Sequence, residues 1–333
     1  MKPDHRNALL VALEKGIAEP GNKGSWRFYN ASAIPELSDE WKDALLCEQG
    51  FRPEFLKLQQ QGYSVTHTLA NESGEPSGAI FFLGRSRRWN EFRISEIWNS
   101  LKPGQRLIVA ANKTDGIGAI RKWFSQHAEI SDSLSKHHAV VFWADKRNDV
   151  DLPTLKISKS VGEYTISEGM FSADGPDAGS RLLVEQFDAR IKGEVADLGA
   201  AWGYLSAELA KETDRITAIE LFEADYLSLE AAKTNLANTT METTFHWIDV
   251  TTEFPKKPYE WVIMNPPFHA GRAAEPGIGQ RFIEVAASTL PRGGRLLMVA
   301  NKNLPYERTL ENHFRSFEKL AEQDGFKVIE AVR

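Results

Sequence analysis

The segment Trp261–His269, with the sequence Trp-Val-Ile-Met-Asn-Pro-Pro-Phe-His, carries the strongest chemical signal in the chain. Four apolar residues suited to a buried strand stop at Pro266 and Pro267, which have no N–H group and a fixed φ. The side-chain carbonyl of Asn265 and the main-chain carbonyl of Pro266 can then accept both hydrogens of a planar amine. Phe268 offers a flat face on which a base can stack. The motif predicts a site that directs an exocyclic amine at an electrophile.

A second candidate site is the turn Asp197–Gly203, with the sequence Asp-Leu-Gly-Ala-Ala-Trp-Gly, which leaves a predicted strand and enters a predicted helix. Glycines allow close approach of the backbone to a ligand, and the carboxyl edge of a first strand is where such folds bind nucleotides. We expect Glu220 to end the next strand, where a carboxylate can accept both ribose hydroxyls. We expect Asp249 to end the strand after that, within reach of an adenine amino group. The ligand is predicted to be nucleoside-like.

Both motifs need a sheet whose strands end at one edge, and the second half of the chain has the required alternation of short apolar runs with helical spans. The predicted strands are Glu194–Leu198, Ile216–Glu220, Thr244–Ile248, Trp261–Met264 and Arg295–Ala300. The predicted helices are Tyr204–Lys211, Ala224–Ala237 and Gly279–Leu290. Asp324-Gly325, between the strand-like runs Phe317–Glu322 and Phe326–Val332, predicts an antiparallel hairpin that closes the sheet.

An internal repeat extends this fold to the first half. Leu101–Lys113 aligns without gaps on Leu290–Lys302, and seven of the thirteen positions are identical. In both copies a glycine turn precedes an apolar run suited to a buried strand. We therefore predict two tandem Rossmann-like α/β domains, residues 1–166 and 167–333, each a mainly parallel sheet flanked by helices. The hairpin-like sequence Thr154–Thr165 is expected to join them.

Composition restricts the class of protein. With 333 residues, 42% of them hydrophobic and 26% charged, the chain has the composition of an ordinary globular protein. Its single cysteine, Cys47, excludes an internal disulfide and a cysteine-rich metal site, and we expect no bound metal. The start of the chain lacks the apolar run of a secretory signal, and no segment is long enough to span a membrane. We expect a cytoplasmic protein.

The formal net charge of −6 is unevenly distributed. Residues 1–166 contain 22 Lys and Arg against 20 Asp and Glu, whereas residues 167–333 contain 18 against 26. A polyanion would therefore dock mainly on the first half. The densest basic stretch there consists of Arg85, Arg87, Arg88 and Arg93, interleaved with aromatic residues, a composition suited to phosphate pairing and base stacking.

Further matches lie before and after the predicted catalytic sheet, at Phe171-Ser172, Asp177-x-Gly179-Ser180-x-Leu182-Leu183, Ala300-Asn301 and Leu304-Pro305-Tyr306. Together with the two motifs above, they make nearly the whole chain resemble the class I S-adenosylmethionine-dependent methyltransferases. More narrowly, it is similar to the tandem-domain methyltransferases that modify the guanine N2 amine of small-subunit ribosomal RNA. In that family the second domain binds the cofactor and catalyses, whereas the first has lost its cofactor site and supports the fold or RNA binding. The resemblance therefore implies that residues 1–166 are a degenerate methyltransferase-like domain and that residues 167–333 are the catalytic one. Ile80–Gly84 occupies the place of the Asn-Pro-Pro-Phe motif in the first half.

The resemblance also implies roles for individual residues. Asp197, Gly199 and Gly203 would line the methionine part of the cofactor, Glu220 would hold its ribose and Asp249 its adenine. Asn265, Pro266 and Phe268 would bind the target guanine. Together with Pro267 these three form the predicted catalytic motif, and Ala201 and Asn265 also belong to the predicted cofactor site. Ala201 stands where the family has a middle glycine, and Glu220 stands where close relatives have Asp. His269 is a candidate proton relay or a structural neighbour of the loop.

The predicted reaction is in-line transfer of a methyl group from S-adenosyl-L-methionine to the exocyclic N2 amine of a guanine, with S-adenosyl-L-homocysteine as product. The predicted partner is ribosomal RNA or the small ribosomal subunit, and the sequence does not indicate an oligomeric state. Other substrates share the same chemistry: adenine N6, a large-subunit guanine N2, or a protein glutamine. A non-catalytic RNA-binding pseudo-methyltransferase is the alternative from a different class.

Overall fold

The computed structural model describes residues 3–70, 72–147, 150–212, 214–253, 255, 257–267, 269–270, 273–274 and 276–333. The chain forms two compact units, Met1–Ser158 and Lys159–Arg333, called here the N-terminal and C-terminal units. No helix in the described ranges is both long and apolar enough to cross a bilayer.

The N-terminal unit is built around a seven-stranded sheet with the order β3-β2-β1-β4-β5-β7-β6. The strands are β1 Trp26–Tyr29, β2 Leu45–Glu48, β3 Ser64–Thr66, β4 Gly78–Phe82, β5 Arg106–Asn112, β6 Asp132–Lys136 and β7 Ala139–Asp145. The helices are α1 His5–Glu14, α2 Asp39–Ala44, α3 Arg52–Gln60, α4 Arg87–Ser100 and α5 Ile117–Phe124, and a 3₁₀ turn covers Lys113–Asp115.

The C-terminal unit repeats this order as β12-β11-β10-β13-β16-β18-β17. Its strands are β8 Ser158–Val161, β9 Tyr164–Ser167, β10 Gly193–Leu198, β11 Ile216–Glu223, β12 Glu242–Trp247, β13 Trp261–Met264, β14 His269–Ala270, β15 Ala273–Ala274, β16 Arg295–Asn301, β17 Ser316–Gln323 and β18 Phe326–Val332. Its helices are α6 Ala178–Val184, α7 Tyr204–Glu212, α8 Tyr226–Asn235, α9 Pro276–Thr289 and α10 Glu307–His313.

The local sequence explains the central strands of the C-terminal unit. All four residues of β13 are buried, and the strand pairs in parallel with β10 on one side and β16 on the other. It ends where two prolines remove the N–H groups that further pairing would need. Asp324 and Gly325 take left-handed backbone conformations, with φ of 51° and 84°, in the tight turn that joins β17 to β18. The predicted antiparallel hairpin is confirmed.

The core is formed on both faces of each sheet, as a doubly wound fold requires. In the C-terminal unit, alternate residues of β13 pack in opposite clusters: Ile263 lies with Trp202 and Ile219, whereas Val262 lies with Phe222 and Met298. These packed layers fix where the strands end, and thus where the side chains of the site emerge.

The repeat seen in the sequence is structurally equivalent in the two units. Its strands are β5 and β16. Strand β5 pairs in antiparallel fashion with β7, and β16 pairs in the same way with β18. The N–H of Lys113 donates to His138 O at 2.8 Å, and the N–H of Lys302 donates to Gly325 O at 2.8 Å. With the shared strand order, these bonds confirm two tandem α/β domains of the same fold.

The junction lies a few residues before the boundary expected near residue 166. The sequence predicts that the hairpin formed by β8 and β9 links the domains, but β9 contributes to the core of the C-terminal unit. Tyr164 and Ile166 are buried there, and Asn235 on α8 donates to Thr165 O at 3.1 Å and accepts from its N–H at 2.8 Å. The apolar side chains of β9 bury surface against this unit, so the hairpin belongs with it.

Candidate active site

Asp197 lies near the carboxyl end of β10 and is completely buried. Its Oδ2 accepts a hydrogen bond from Ser206 Oγ at 2.6 Å, whereas its Oδ1 is buried with no partner among the described residues. Burial disfavours the charged form and raises the pKa of Asp197 to about 7. A buried carboxylate oxygen without a donor has acceptor capacity that a ligand can use.

The turn after β10 requires unusual backbone conformations. Gly199, Ala201 and Gly203 all have positive φ, at 74°, 47° and 83°. A Cβ on Gly203 would come within 2.8 Å of Leu236 Cδ1, so glycine there permits close packing of the neighbouring helix. Ala201 adopts a conformation that costs an L residue about 1–2 kcal/mol. The departure from the glycine pattern is therefore tolerated with strain.

The structure corrects the prediction for Glu220. Strand β11 continues to Glu223, so Glu220 lies within the strand rather than at its end. Its carboxylate accepts from Lys257 Nζ at 2.6 Å and from Tyr259 OH at 2.9 Å, and it lies 2.7 Å from His246 Nε2. Because both carboxylate oxygens of Glu220 already have these partners, and none of the partners belongs to the turn Asp197–Gly203, we assign Glu220 to a structural cluster.

Glu223 is the carboxylate at the end of β11. Its Oε2 accepts from the N–H of Ala201 at 2.7 Å, and its Oε1 accepts from the N–H of Asp225 at 2.7 Å. Burial raises the pKa of Glu223 to about 7. Glu223 therefore braces the glycine turn directly. Sequence reasoning missed it, although the apolar pair Leu221-Phe222 already indicated that the strand runs past Glu220.

Asp249 lies two residues beyond the end of β12, not at the end of the strand as predicted. It is buried, and its Oδ1 accepts from the N–H of Thr251 at 2.9 Å and from the Thr251 hydroxyl at 2.6 Å. Its Oδ2 accepts from Thr252 Oγ1 at 3.2 Å. The carboxylate thus holds the loop that follows β12 at the same edge of the sheet.

Asn265 directly follows β13, and its side chain turns towards the start of α6. Its amide nitrogen donates to Ser180 Oγ at 2.9 Å and to Asp177 Oδ2 at 3.2 Å. Pro266 is buried and Pro267 is exposed. The predicted stacking residue Phe268 and the side chain of the candidate relay His269 lie outside the described residues.

The two sequence motifs meet in one open cleft, whose space of about 340 Å³ includes adjoining solvent. Asn265 and the turn Gly199–Trp202 line it, together with Phe171-Ser172 and Pro176, Asp177 and Ser180 at the start of α6. Pro267 Cδ lies 3.9 Å from the position that a Cβ on Gly199 would take. The cleft combines a turn suited to a nucleoside-like ligand with an acceptor suited to an amine.

The basic stretch of the N-terminal unit is only partly available for a polyanion. Arg85, Arg87 and Arg88 are exposed around the start of α4, although Arg87 Nε donates to Glu91 at 2.7 Å and Arg88 donates to Lys156 O at 3.2 Å. These bonds are at the surface, where they are weak and exchange easily.

Arg93 does not belong with the exposed arginines. Its guanidinium pairs with Glu48 and, at 2.9 Å, with Glu96, and it lies 5.4 Å from the centre of the Tyr29 ring. The prediction that Arg93 binds phosphate is therefore corrected, because two carboxylates already neutralise it.

Comparison with known proteins adds independent findings. The family model "Methyltransferase small domain" matches residues 163–330. Proteins named "Ribosomal RNA small subunit methyltransferase C" from Yersinia pseudotuberculosis and Yersinia pestis are 29% identical over 257 residues, covering 76% of this chain and 74% of theirs.

A solved structure of a T. thermophilus 16S rRNA N2 methyltransferase (RsmC), in complex with AdoMet and guanosine, is similar along the chain. The TM-score is 0.79 at 22% sequence identity, covering 99% of this chain and 91% of that one. This likeness shows that the chain shares the two-domain fold.

Proposed function

This chain belongs to the methyltransferase small domain family, and we propose that it transfers a methyl group from S-adenosylmethionine to the exocyclic N2 amine of a guanine in small-subunit ribosomal RNA. The main observation that supports this proposal is that Asn265 and the glycine turn Gly199–Trp202 line the same cleft. The names of the Yersinia relatives, and the AdoMet and guanosine in the T. thermophilus complex, support the choice of cofactor and substrate.

The carboxylates beside the cleft fit the proposed cofactor, although Asp197, Glu223 and Asp249 do not themselves line the cleft. When bound, S-adenosylmethionine supplies a methyl group on a positively charged sulfur. The Oδ1 of Asp197, which has no partner among the described residues, and the carboxylate of Glu223 would supply acceptors and negative charge for a cationic ligand that carries hydroxyl groups. Asp249 provides a further carboxylate at the loop after β12. We propose Glu223, in place of Glu220, as the residue that accepts the ribose hydroxyls.

Asn265 and Pro266 would hold the target amine. The oxygen of the Asn265 amide, which has no partner among the described residues, and the carbonyl of Pro266 can each accept one amine hydrogen, which points the nitrogen lone pair along the line of attack. Most of the acceleration would come from this alignment, which contributes on the order of 7–11 kcal/mol in well-oriented systems. The amine becomes acidic only as the new bond forms, so no strong base is needed, and water or Asn265 can relay its proton. We propose that Phe268 stacks on the base.

The N-terminal unit would contribute RNA docking and structural support. The exposed Arg85, Arg87 and Arg88 are the proposed phosphate contacts. Because the amine of a paired base is inaccessible, the target guanine would be single-stranded, in a loop or flipped out. A protein with this substrate would work in the cytoplasm.

The test is transfer of a radiolabelled methyl group to naked ribosomal RNA and to small ribosomal subunits, followed by identification of the labelled nucleoside. We expect N2-methylguanosine. Labelled N6-methyladenosine, or label in protein, would assign a different substrate. Calorimetric titration with S-adenosylhomocysteine tests the alternative of a pseudo-methyltransferase. If the folded protein does not bind this ligand, the result supports that alternative.

A further inference from the structure

Capping of helix α6 uses only one of the two oxygens of the Asp177 carboxylate. As the N-cap of α6, Asp177 accepts through Oδ1 from the N–H groups of Gly179 at 2.9 Å and Ser180 at 3.2 Å. Its Oδ2 does not contact the helix backbone. That oxygen accepts instead from the Asn265 amide nitrogen at 3.2 Å, and Ser180 Oγ accepts from the same nitrogen at 2.9 Å.

Two acceptors on one amide nitrogen determine which way the amide faces. Both N–H groups of Asn265 are used, so its oxygen is the end left for the cleft that Asn265 lines. A reversed amide would bring its oxygen against the Asp177 carboxylate and would present N–H groups to the target, where an acceptor is needed. The negative charge of Asp177 also polarises the amide and strengthens its oxygen as an acceptor.

The N-terminal unit shows the same cap without this second contact. The registers Gly78↔Arg106 and Trp261↔Arg295 join equivalent arginines of the repeat, so Phe82 occupies the position of Asn265. There Asp4 caps α1 through Oδ1, and its Oδ2 accepts from the Arg6 side chain at 2.7 Å.

The residue two positions after the cap decides between these arrangements. In the C-terminal unit it is Gly179, where a Cβ would lie 2.8 Å from Phe326 Cδ1, so no side chain is present to occupy Asp177 Oδ2. The Oδ2 of the capping aspartate therefore contacts the residue at the position shared by Asn265 and Phe82 only in the C-terminal unit, where that residue is Asn265. Because both aspartates cap a helix, capping alone does not explain why only Asp177 contacts an amide.

We propose that Asp177 and Ser180 are positioning residues that lock the Asn265 amide with its oxygen towards the target amine. This inference rests on the proposed function, since it assigns the orientation of the acceptor in that reaction. Although both residues line the cleft, the proposal gives neither of them a contact with the reacting atoms. Their effect reaches the reaction through the amide of Asn265.

Asp177→Asn tests the lock while retaining the cap, because asparagine caps helices as well as aspartate does. Its amide oxygen can still accept from the helix, but its NH2 group then faces the NH2 group of Asn265. We expect kcat to fall on the order of 100-fold through misorientation of the acceptor, with unchanged affinity for S-adenosylhomocysteine and an unchanged unfolding temperature. Asp4→Asn, the matched change in the N-terminal unit, should retain the wild-type rate.

The double variant Asp177→Asn with Asn265→Asp exchanges donor and acceptor. The introduced asparagine can donate to one oxygen of the introduced carboxylate, which leaves the other oxygen facing the target. We expect the double variant to be about tenfold faster than Asp177→Asn alone, as for coupled neighbours. A wild-type rate for Asp177→Asn, or no gain in the double variant, would overturn the proposal.

A measurement without substrate separates this inference from the proposed function. In ¹⁵N NMR spectra, the two side-chain amide hydrogens of Asn265 should exchange slowly with solvent in the wild type and rapidly in Asp177→Asn and Ser180→Ala. Fast exchange in the wild type would refute the lock even if the enzyme methylates RNA. Slow exchange in a wild type that transfers no methyl group to RNA would contradict the proposed function alone.

Discussion

The same edge of the same sheet differs in chemistry between the two units. At three equivalent positions of this edge the C-terminal unit has two carboxylates and an amide, whereas the N-terminal unit has two phenylalanines and a glutamine. The strand registers make three pairs of positions equivalent, namely Asp197 with Phe28, Glu223 with Gln49, and Asn265 with Phe82. The carboxylates proposed to bind the ligand are therefore found at these positions in only one copy of a duplicated scaffold.

The scaffold itself is retained in both copies. Gln49 Oε1 accepts from the N–H of Phe51 at 2.8 Å, as Glu223 Oε1 accepts from the N–H of Asp225 at 2.7 Å. Asn30, with φ of 49°, has the left-handed conformation found at Gly199. Hydrogen bonding and backbone shape at this edge thus serve folding, because they persist without the charges. The charge of Glu223 and the amide of Asn265 are what the C-terminal unit adds.

Removing the Asn265 amide should have the largest effect on methyl transfer of all the changes to the edge at which the two units differ. We expect Asn265→Ala to lower kcat on the order of 10³-fold, because the acceptor for the amine is lost, while affinity for S-adenosylhomocysteine is retained. Single-turnover methyl transfer and calorimetry measure the two quantities. Phe82→Asn in the N-terminal unit should create no additional activity. A loss of cofactor affinity in Asn265→Ala would instead mean that the loop supports the cofactor site.

Glu223→Gln gives the C-terminal unit the side chain that the N-terminal unit has at the equivalent position, Gln49. The amide retains an acceptor for one backbone N–H but removes the negative charge, so affinity for S-adenosylmethionine should fall about 10–100-fold. Glu220→Gln is the matched control, since it removes the same charge from the structural cluster and should leave the affinity unchanged. If the control lowers affinity and Glu223→Gln does not, the ribose assignment returns to Glu220.

The same variant should change how stability depends on pH. Burial raises the pKa of Glu223 to about 7, above the ordinary value of 4.5. Between these values the folded protein binds more protons than the unfolded chain, so the free energy of unfolding decreases as pH rises. Asp197 contributes in the same direction. Urea unfolding from pH 4.5 to 7.5 should give a shallower decrease for Glu223→Gln than for the wild type, and parallel curves would contradict this.

Charge on the N-terminal unit should affect RNA binding and not the chemical step. Replacing Arg87 and Arg88 together by Ala should weaken RNA binding several-fold and lower the magnitude of the salt slope by about 1–2. Filter binding at several salt concentrations gives the slope. Arg93→Ala should instead lower the unfolding temperature, because it leaves Glu48 and Glu96 without their partner. An unchanged slope in the double variant would move RNA docking elsewhere.

The smallest effect concerns backbone strain in the turn. Ala201→Gly should stabilise the protein by about 0.5–1 kcal/mol, because glycine adopts positive φ without a Cβ clash. Asn30→Gly should not stabilise it, since asparagine tolerates this conformation and its Nδ2 donates to Phe82 O at 2.9 Å. Equilibrium urea unfolding distinguishes these signs. Destabilisation by Ala201→Gly would show that the turn is unstrained.

The order of elements could be predicted because it depends on local patterns. The apolar stretch Trp261–Met264 ends at two prolines, and Asp324-Gly325 favours a hairpin turn regardless of distant residues. Errors of a few residues arose at the strand ends. The strand that starts at Ile216 was predicted to stop at a charged residue, but pairing with β10 and β12 carries it on to Glu223.

The sequence by itself determined that the chain contains two α/β domains, and that an Asn-Pro-Pro elbow and a glycine turn follow strands in the second. Periodicity, proline and glycine act within a few residues, so they can be interpreted from neighbours in the chain. Only the tertiary structure decided which carboxylate braces the turn, that Arg93 is neutralised, and that Ser180 holds an amide 85 residues away. Those contacts form between side chains that packing brings together from distant parts of the chain. The spacing of residues in the sequence therefore does not predict them.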